Sequence, residues 1–145
     1  MKIGIVYGTE RGLATTDVAN WFKTALEQKG HEVIIGKLDE FQDYGCDAFI
    51  VGSAVYAFHI FGETSKFLKK NPKKFDDKPI ATFVVCRLTK LSGWYRRGLH
   101  KKLSSVPVSS IAFRGYADDK DKKNFVGQEK DAFAWIDEVI NLFKE

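Results

Sequence analysis

The sequence predicts an α/β domain in which helices cover both faces of a parallel β-sheet. Five short apolar segments rich in β-branched residues alternate with segments that carry apolar side chains at helical spacing. The apolar segments are continuous through their centres, which is typical of strands buried on both faces. Right-handed crossovers between such strands give a doubly wound, three-layer sandwich around a five-stranded parallel sheet. Residues 1–145 are expected to form a single domain, since no linker or repeat divides them.

Each predicted strand precedes a turn or a helix. The strands are predicted at 2–8, 31–37, 47–56, 78–86 and 107–116. The helices are predicted at 16–29, from 62 to just before Pro72, at 93–103 and at 127–144. The stripe formed by Val18, Phe22 and Leu26 supports the first helix. The charged segment 117–124 is predicted to be a loop.

The composition favours an ordinary folded cytoplasmic protein. Hydrophobic residues make up 44% of the chain, yet no apolar run approaches the roughly 20 residues that span a bilayer. The two cysteines, Cys46 and Cys86, fit neither a disulfide scaffold nor a zinc-ligand spacing. No metal site is therefore predicted, and free thiols are expected. No recognised nucleic-acid motif accompanies the positive charge.

The net charge of +4 is unevenly distributed along the chain. Residues 66–102 contain twelve Lys and Arg against two Asp and Glu, whereas 1–65 and 103–145 are both net acidic. One interpretation is a solvated helical surface. The other is a docking face for an acidic partner.

In a doubly wound sheet, ligands bind at the carboxyl ends of the strands, which directs attention to three loops. The first, "YGTERGLATT", joins a buried strand to a helix, where free N–H groups and the helix dipole favour an anion. Thr9 and Thr15 supply hydroxyls, and Arg11 supplies charge. The loop is neither a Walker motif nor a G-x-G-x-x-G fingerprint. A plain strand-to-helix turn with Thr15 or Thr16 as N-cap is the alternative.

The second loop, "GSAVYAFHIFGE", concentrates aromatic side chains at the end of the third strand. Such a loop can supply the apolar walls and backbone hydrogen bonds that a flat aromatic ligand needs. Phe58 or His59 would stack on the ring, and Tyr56 would either stack or anchor the loop. Core packing is the alternative interpretation.

The third loop, "CRLTKLSGWYRR", follows the fourth strand. Trp94 lies one step off the buried stripe of the next helix and is expected to face the site. Cys86 is interpreted as a small buried hydrophobe. Arg87 and Lys90 would bring positive charge close to a bound ring.

These segments together resemble the flavodoxin superfamily over nearly the full length. The segments "IVYGTERGLATTDVA", "FIVGSAVYAFHIFGETSKFLKKN" and "YRRGLHKKL" are similar to the branch that includes menaquinone-dependent protoporphyrinogen oxidases. The resemblance implies a flavodoxin-like strand order of 2-1-3-4-5. It also implies FMN as the cofactor.

The resemblance assigns the FMN phosphate to the first loop and the isoalloxazine ring to the other two. The phosphate residues would be Thr9, Glu10, Arg11, Gly12, Leu13, Ala14 and Thr15. The ring residues would be Ser53, Ala54, Val55, Tyr56, Ala57, Phe58, His59, Cys86, Arg87, Leu88 and Trp94. Flavodoxin phosphate loops read T/S-x-T-G-x-T, and two of the three hydroxyl positions are replaced here. We expect Thr15, after a one-residue insertion, and Arg11 to compensate.

Three functions are compatible with the sequence. The first is an FMN-binding redox protein that carries electrons between partners, with an acidic protein docking on the basic 66–102 face. Positive charge beside the ring would then favour the reduced flavin and raise its potential. The second is a flavin-dependent dehydrogenase of the protoporphyrinogen oxidase type, acting on a quinone or porphyrinogen, with His59 as the proton-handling candidate. The third is a flavin-free binding module.

Overall fold

Strands and helices alternate along the chain in the order that the hydrophobic pattern predicts. The computed structural model describes residues 1–10, 13–56, 59–71, 73–75, 77–116 and 119–145. The strands are β1 (Lys2–Gly8), β2 (Glu32–Lys37), β3 (Ala48–Tyr56), β4 (His59–Ile60), β5 (Ile80–Cys86) and β6 (Ser109–Arg114). The helices are α1 (Ala14–Gln28), α2 (Gly62–Lys70), α3 (Ser92–His100), α4 (Asp119–Val126) and α5 (Glu129–Phe143).

The main sheet has the parallel order β2-β1-β3-β5-β6, which confirms the predicted doubly wound topology. The numbering differs from 2-1-3-4-5 because a short additional strand, β4, pairs antiparallel with the end of β3. In this pairing His59 lies opposite Tyr56, and Ile60 lies opposite Val55. Two residues are too few to produce a strand pattern in the sequence.

Each face of the sheet carries its own hydrophobic core. On one face, α1 and α5 pack through residues such as Phe22 and Ile136 against Phe83. On the other face, α2 and α3 contribute Leu68 and Leu99. These side chains are essentially inaccessible to solvent, and burying each one contributes roughly 1.5–3 kcal/mol. Alternate residues of the central strands serve the two cores, which explains their continuous apolar sequence.

The segment 117–124 is only partly described, and the prediction that it is a loop is wrong from Asp119 onward, where α4 begins. Phe125 anchors this short basic helix, because its buried ring stacks on Trp21 of α1 with centroids 4.8 Å apart. A helix with a single buried aromatic side chain among its described residues has no apolar stripe, so its sequence resembles a charged loop. Other element ends match the predictions or differ from them by one to three residues, with the largest difference at the end of α3.

A buried polar pair lies between α3 and β5. The Thr82 hydroxyl, fully buried, is 2.8 Å from Nε2 of His100 and shares a hydrogen bond with it. Burial lowers the pKa of His100, and the nearby Arg96 cation lowers it further. The folded protein therefore holds this imidazole neutral at neutral pH.

We expect His100 to make the fold less stable in acid. Because its folded pKa lies below the ordinary value of 6.5, the unfolded chain binds the proton more readily. This contribution is fully present above pH 6.5 and is lost as the pH falls below that value. Denaturant titrations at about pH 7.5 and about pH 5.5 should show a larger loss for the wild type than for His100→Gln. Burial also lowers the pKa of His31, but this residue is present in both proteins and contributes equally to both losses. Equal losses in the two proteins would therefore contradict the prediction.

The described residues include no helix that is long and apolar enough to cross a bilayer.

Candidate functional site

A cavity of about 240 Å³ lies at the carboxyl end of the sheet. It opens where β1 and β3 lead their chains to opposite faces, which is the topological switch point of this fold. Its lining residues are Thr9, Leu13, Ala14, Thr15, Ala54, Val55, Tyr56, Val85, Cys86, Arg87, Gly115 and Tyr116. The wall therefore combines apolar and aromatic groups with a few hydroxyls and one cation.

Half of the site residues predicted from the sequence meet at this cavity. They are Thr9, Leu13, Ala14, Thr15, Ala54, Val55, Tyr56, Cys86 and Arg87. Glu10, Ser53, His59, Leu88 and Trp94 lie outside its lining. Arg11, Gly12, Ala57 and Phe58 lie outside the described residues.

One end of the cavity is the amino terminus of α1. The helix begins at Ala14, its N-cap is Leu13, and no side chain among the described residues makes a capping hydrogen bond there. Neither Thr15 nor Thr16 is the N-cap: Thr15 is buried against the cavity, and the Thr16 hydroxyl bonds that of Tyr7 at 3.2 Å. The N–H groups of the first turn and the helix dipole therefore suit an anionic group.

Tyr56 ties the end of β3 to the loop that follows β1. Its hydroxyl lies 3.0 Å from Oγ1 of Thr9 and accepts a hydrogen bond of 3.2 Å from the Glu10 N–H. Its ring meets that of Phe61 edge to face, with centroids 5.5 Å apart. Of the two roles considered for Tyr56, the contacts show the anchor, while the ring also lines the cavity.

The Ser53 side chain lies behind the cavity wall and does not line the cavity. This side chain is fully buried, and its hydroxyl lies within hydrogen-bond distance, 2.9 Å, of both Oγ1 of Thr64 in α2 and the Ala54 carbonyl oxygen. Gly8, its register partner in β1, leaves the space that Thr64 occupies, because a Cβ there would overlap the threonine hydroxyl. This packing fixes the ends of β1 and β3 relative to each other.

The third loop contributes a thiol and a cation to the wall. Cys86 is almost fully buried, and burial raises the pKa of its thiol, with Arg96 partly opposing that effect. It therefore acts as a small hydrophobe, as the sequence indicated. Arg87 is exposed at the rim of the cavity.

Three wall residues were missed by the sequence analysis: Val85, Gly115 and Tyr116. Tyr116 donates a 3.2 Å hydrogen bond to Asp17 of α1, and its ring contacts that of Phe125 at 4.8 Å. The segment 115–116 had been assigned to the last strand, but that strand ends at Arg114. A loop at the carboxyl end of β6 belongs to the same edge of the sheet, and the strand-end rule applies to it equally.

His59, the candidate catalytic residue, is exposed in β4. It pairs with Tyr56 through the backbone of this short strand. Its side chain does not line the cavity.

Solved structures with similar folds include several flavodoxins. A flavodoxin mutant from Pseudomonas aeruginosa matches at 20% identity over the whole of both chains, with a TM-score of 0.72. A Streptococcus pneumoniae flavodoxin matches at 15% identity over 92% of this chain and 98% of its own, with a TM-score of 0.62. An archaeal flavodoxin matches at 20% identity over 94% and 99%, with a TM-score of 0.59. At these identities the likeness establishes the fold.

Among proteins with curated descriptions, none matches this sequence. The family model of the flavodoxin domain, in contrast, matches residues 4–140, which is nearly the entire chain. Together with the cavity at the switch point, this match identifies the chain as a member of the flavodoxin domain family, whose members bind FMN.

Proposed function

We propose that this protein carries electrons between partner proteins by means of bound FMN. The observation that carries the proposal is the cavity at the switch point, with an uncapped helix amino terminus at one end and apolar walls beside it. FMN supplies the redox chemistry, since it can accept and release one or two electrons. The protein supplies binding, orientation and electrostatics.

The residues present fit the phosphate of FMN. Ala14 and Thr15 begin a helix that no described side chain caps, and Thr9 lies on the same cavity wall. The position of Thr15 on the cavity wall supports the proposal that it replaces the final hydroxyl of the flavodoxin phosphate loop. Arg11, proposed as the second replacement, lies outside the described residues.

The remaining walls fit the flavin ring. Val55, Tyr56 and Tyr116 provide apolar and aromatic surface, while Cys86 offers a small buried side chain. The absence of a side chain at Gly115 leaves space in the cavity, because a Cβ there would lie 3.3 Å from Cγ1 of Val85 and 3.6 Å from Cβ of Ala14. The protein groups of these walls would orient the ring and exclude water from it.

Tyr56→Phe is expected to weaken FMN binding about fivefold. The substitution keeps the ring but removes the hydroxyl that holds Thr9 and the Glu10 amide, and a hydrogen bond of this kind contributes about 1 kcal/mol. Quenching of FMN fluorescence measures the dissociation constant. Tyr95→Phe, in α3 and away from the cavity lining, is the matched control. An unchanged affinity for Tyr56→Phe would show that the anchor does not hold the phosphate loop.

We further propose that the flavin has a higher potential than in an acidic flavodoxin. Residues 78–116 contain eight Lys and Arg and no Asp or Glu, and one of these cations, Arg87, lies on the cavity wall. Positive charge nearby favours the more negatively charged reduced form of a redox group. A redox titration that gives a potential as low as that of an acidic flavodoxin would contradict this part of the proposal.

An acidic redox protein is the proposed partner, and the 66–102 face is its proposed docking side. The packing of α2 and α3 against the same hydrophobic core supports a common face for their lysines and arginines. Association rates should fall steeply as salt is added. Salt-independent electron transfer to the physiological partner would exclude electrostatic docking. Two buried, free thiols accord with a proposed cytoplasmic location.

A dehydrogenase acting on a quinone or porphyrinogen is the second candidate function. The observation that favours it is Arg87, a cation on the cavity wall that suits a substrate carboxylate. Flavin reduction that requires added protoporphyrinogen would support an enzyme over a carrier. In that case His59 is the proposed proton-handling residue, and normal turnover by His59→Ala would remove it from that role.

A further inference from the structure

Three large apolar side chains stand exposed on the loop after β5 and the start of α3. Leu88 is 48% exposed, Leu91 is 37% exposed and Trp94 is 51% exposed. We call these three residues the 88–94 patch. A monomeric protein loses no core stability by replacing such side chains with polar ones, so a cluster of them indicates a binding surface.

The core does not require the patch. The buried stripe of α3 consists of Tyr95 and Leu99, and both of those side chains are less than 5% exposed. The Trp94 ring contacts the Tyr95 ring, with centroids 5.6 Å apart. Leu88 and Leu91 belong to a run of exposed residues that begins directly after Cys86. None of these three side chains therefore belongs to either hydrophobic core.

The charge around the patch has one sign. The cations of the loop and α3 are Arg87, Lys90, Arg96 and Arg97, and Lys101 and Lys102 follow directly. No Asp or Glu occurs anywhere from 78 to 116. The ion pairs among the described residues engage Lys2, Lys29 and Lys66, all elsewhere in the chain. The patch thus has an apolar centre and a positively charged surround.

The patch also borders the candidate cofactor site. Arg87 lines the cavity, and Leu88 follows it on the outer surface. A protein seated on the patch would therefore lie next to the mouth of the cavity. Proximity of this kind is what an exchange of electrons between two proteins requires.

We propose that the 88–94 patch is the docking surface for an acidic redox protein whose contact face has an apolar centre ringed by carboxylates. The inference rests on the proposed function and locates the contact within the 66–102 face. Electron-transfer encounters bury less than about 1,200 Å² in total, so three apolar side chains suffice as a centre. Charge steers the approach, and apolar contact with Trp94 supplies much of the affinity.

The test measures binding of a strongly acidic [2Fe–2S] ferredoxin to the FMN-loaded protein by titration calorimetry at several salt concentrations. Trp94→Ser should weaken binding about tenfold and leave the salt dependence unchanged. Lys90→Glu combined with Arg97→Glu should weaken binding and also flatten the salt dependence. Val106→Ser is the matched apolar control, because Val106 is 90% exposed at another site. Lys130→Glu is the charge control in α5.

Three results would overturn the proposal: no saturable binding of the ferredoxin, patch variants that behave like Val106→Ser, or a loss of binding in both controls. Co-sedimentation with phosphatidylglycerol vesicles tests whether the patch binds an anionic membrane and not a protein. If Trp94→Ser abolishes vesicle binding and leaves ferredoxin binding intact, the surface binds an anionic bilayer instead. The flavin absorbance of the same samples reports cofactor binding separately. Full FMN loading with patch-independent docking refutes this inference alone, whereas failure to load FMN refutes the proposed function.

Discussion

Gly52→Ala is expected to lower the free energy of unfolding by about 3 kcal/mol. Gly52 lies in the centre of β3 opposite Phe83 of β5, and a Cβ at this position would overlap the phenyl ring of Phe83. Phe83 is itself fully buried and packs edge to face on Phe22, with centroids 5.1 Å apart, so the ring has no free space to move into. Guanidinium denaturation of wild type and variant measures the loss.

Two further variants test that explanation. Gly62→Ala is the matched control, because nothing lies within 4 Å of a Cβ placed there, and we expect it to be neutral or slightly stabilising. Phe83→Leu makes room for the new methyl group. The Gly52→Ala/Phe83→Leu double variant should therefore be more stable than the sum of the two single losses by about 1 kcal/mol or more. Additive losses would show that the overlap with Phe83 is not the cause.

Gly115→Val is expected to reduce FMN affinity by about 100-fold while the protein stays folded. Its Cβ would already touch Val85 and Ala14, so the branched side chain must occupy the cavity between them. The backbone of Gly115 does not adopt a positive φ, and valine therefore introduces no backbone strain there. Fluorescence titration with FMN measures the affinity, and circular dichroism verifies the fold.

The control for this prediction is Gly93→Val in α3, where a Cβ would meet only the Arg97 guanidinium, at 3.7 Å. Ala54→Leu provides a second route into the same cavity from the β3 side. If Gly115→Val and Ala54→Leu both bind FMN as tightly as Gly93→Val does, the cofactor lies elsewhere on the protein.

The fold was predictable because its central strands obey a simple physical rule. A strand covered by helices on both faces is apolar along most of its length, and β1, β3 and β5 have that pattern. The elements that escaped prediction depend on tertiary contacts. Stacking of Phe125 on Trp21 fixes α4, and pairing with the end of β3 defines β4. Neither contact leaves a periodic signal in the sequence.

The loops that form the cavity were predictable from the sequence, but the side chains that line it were less so. The strand-end rule directed attention to the loops that form the cavity, and half of the residues that the resemblance assigned to the cofactor line it. The rule could not specify which way a side chain turns: Ser53 is among the predicted ring residues, but its side chain bonds Thr64 behind the cavity. Trp94, which the sequence predicts to face the site, is exposed in the 88–94 patch and lies outside the cavity lining. Tyr116 was missed because the end of β6 was placed two residues too late.

The absorbance spectrum of the purified protein, recorded before and after addition of FMN, tests the central claim most directly. We predict flavin bands that remain with the protein after gel filtration, at one FMN per chain. The Gly115→Val variant should lose these bands. A protein that stays colourless after incubation with excess FMN would contradict the account and would indicate a flavin-free binding module on a flavodoxin fold.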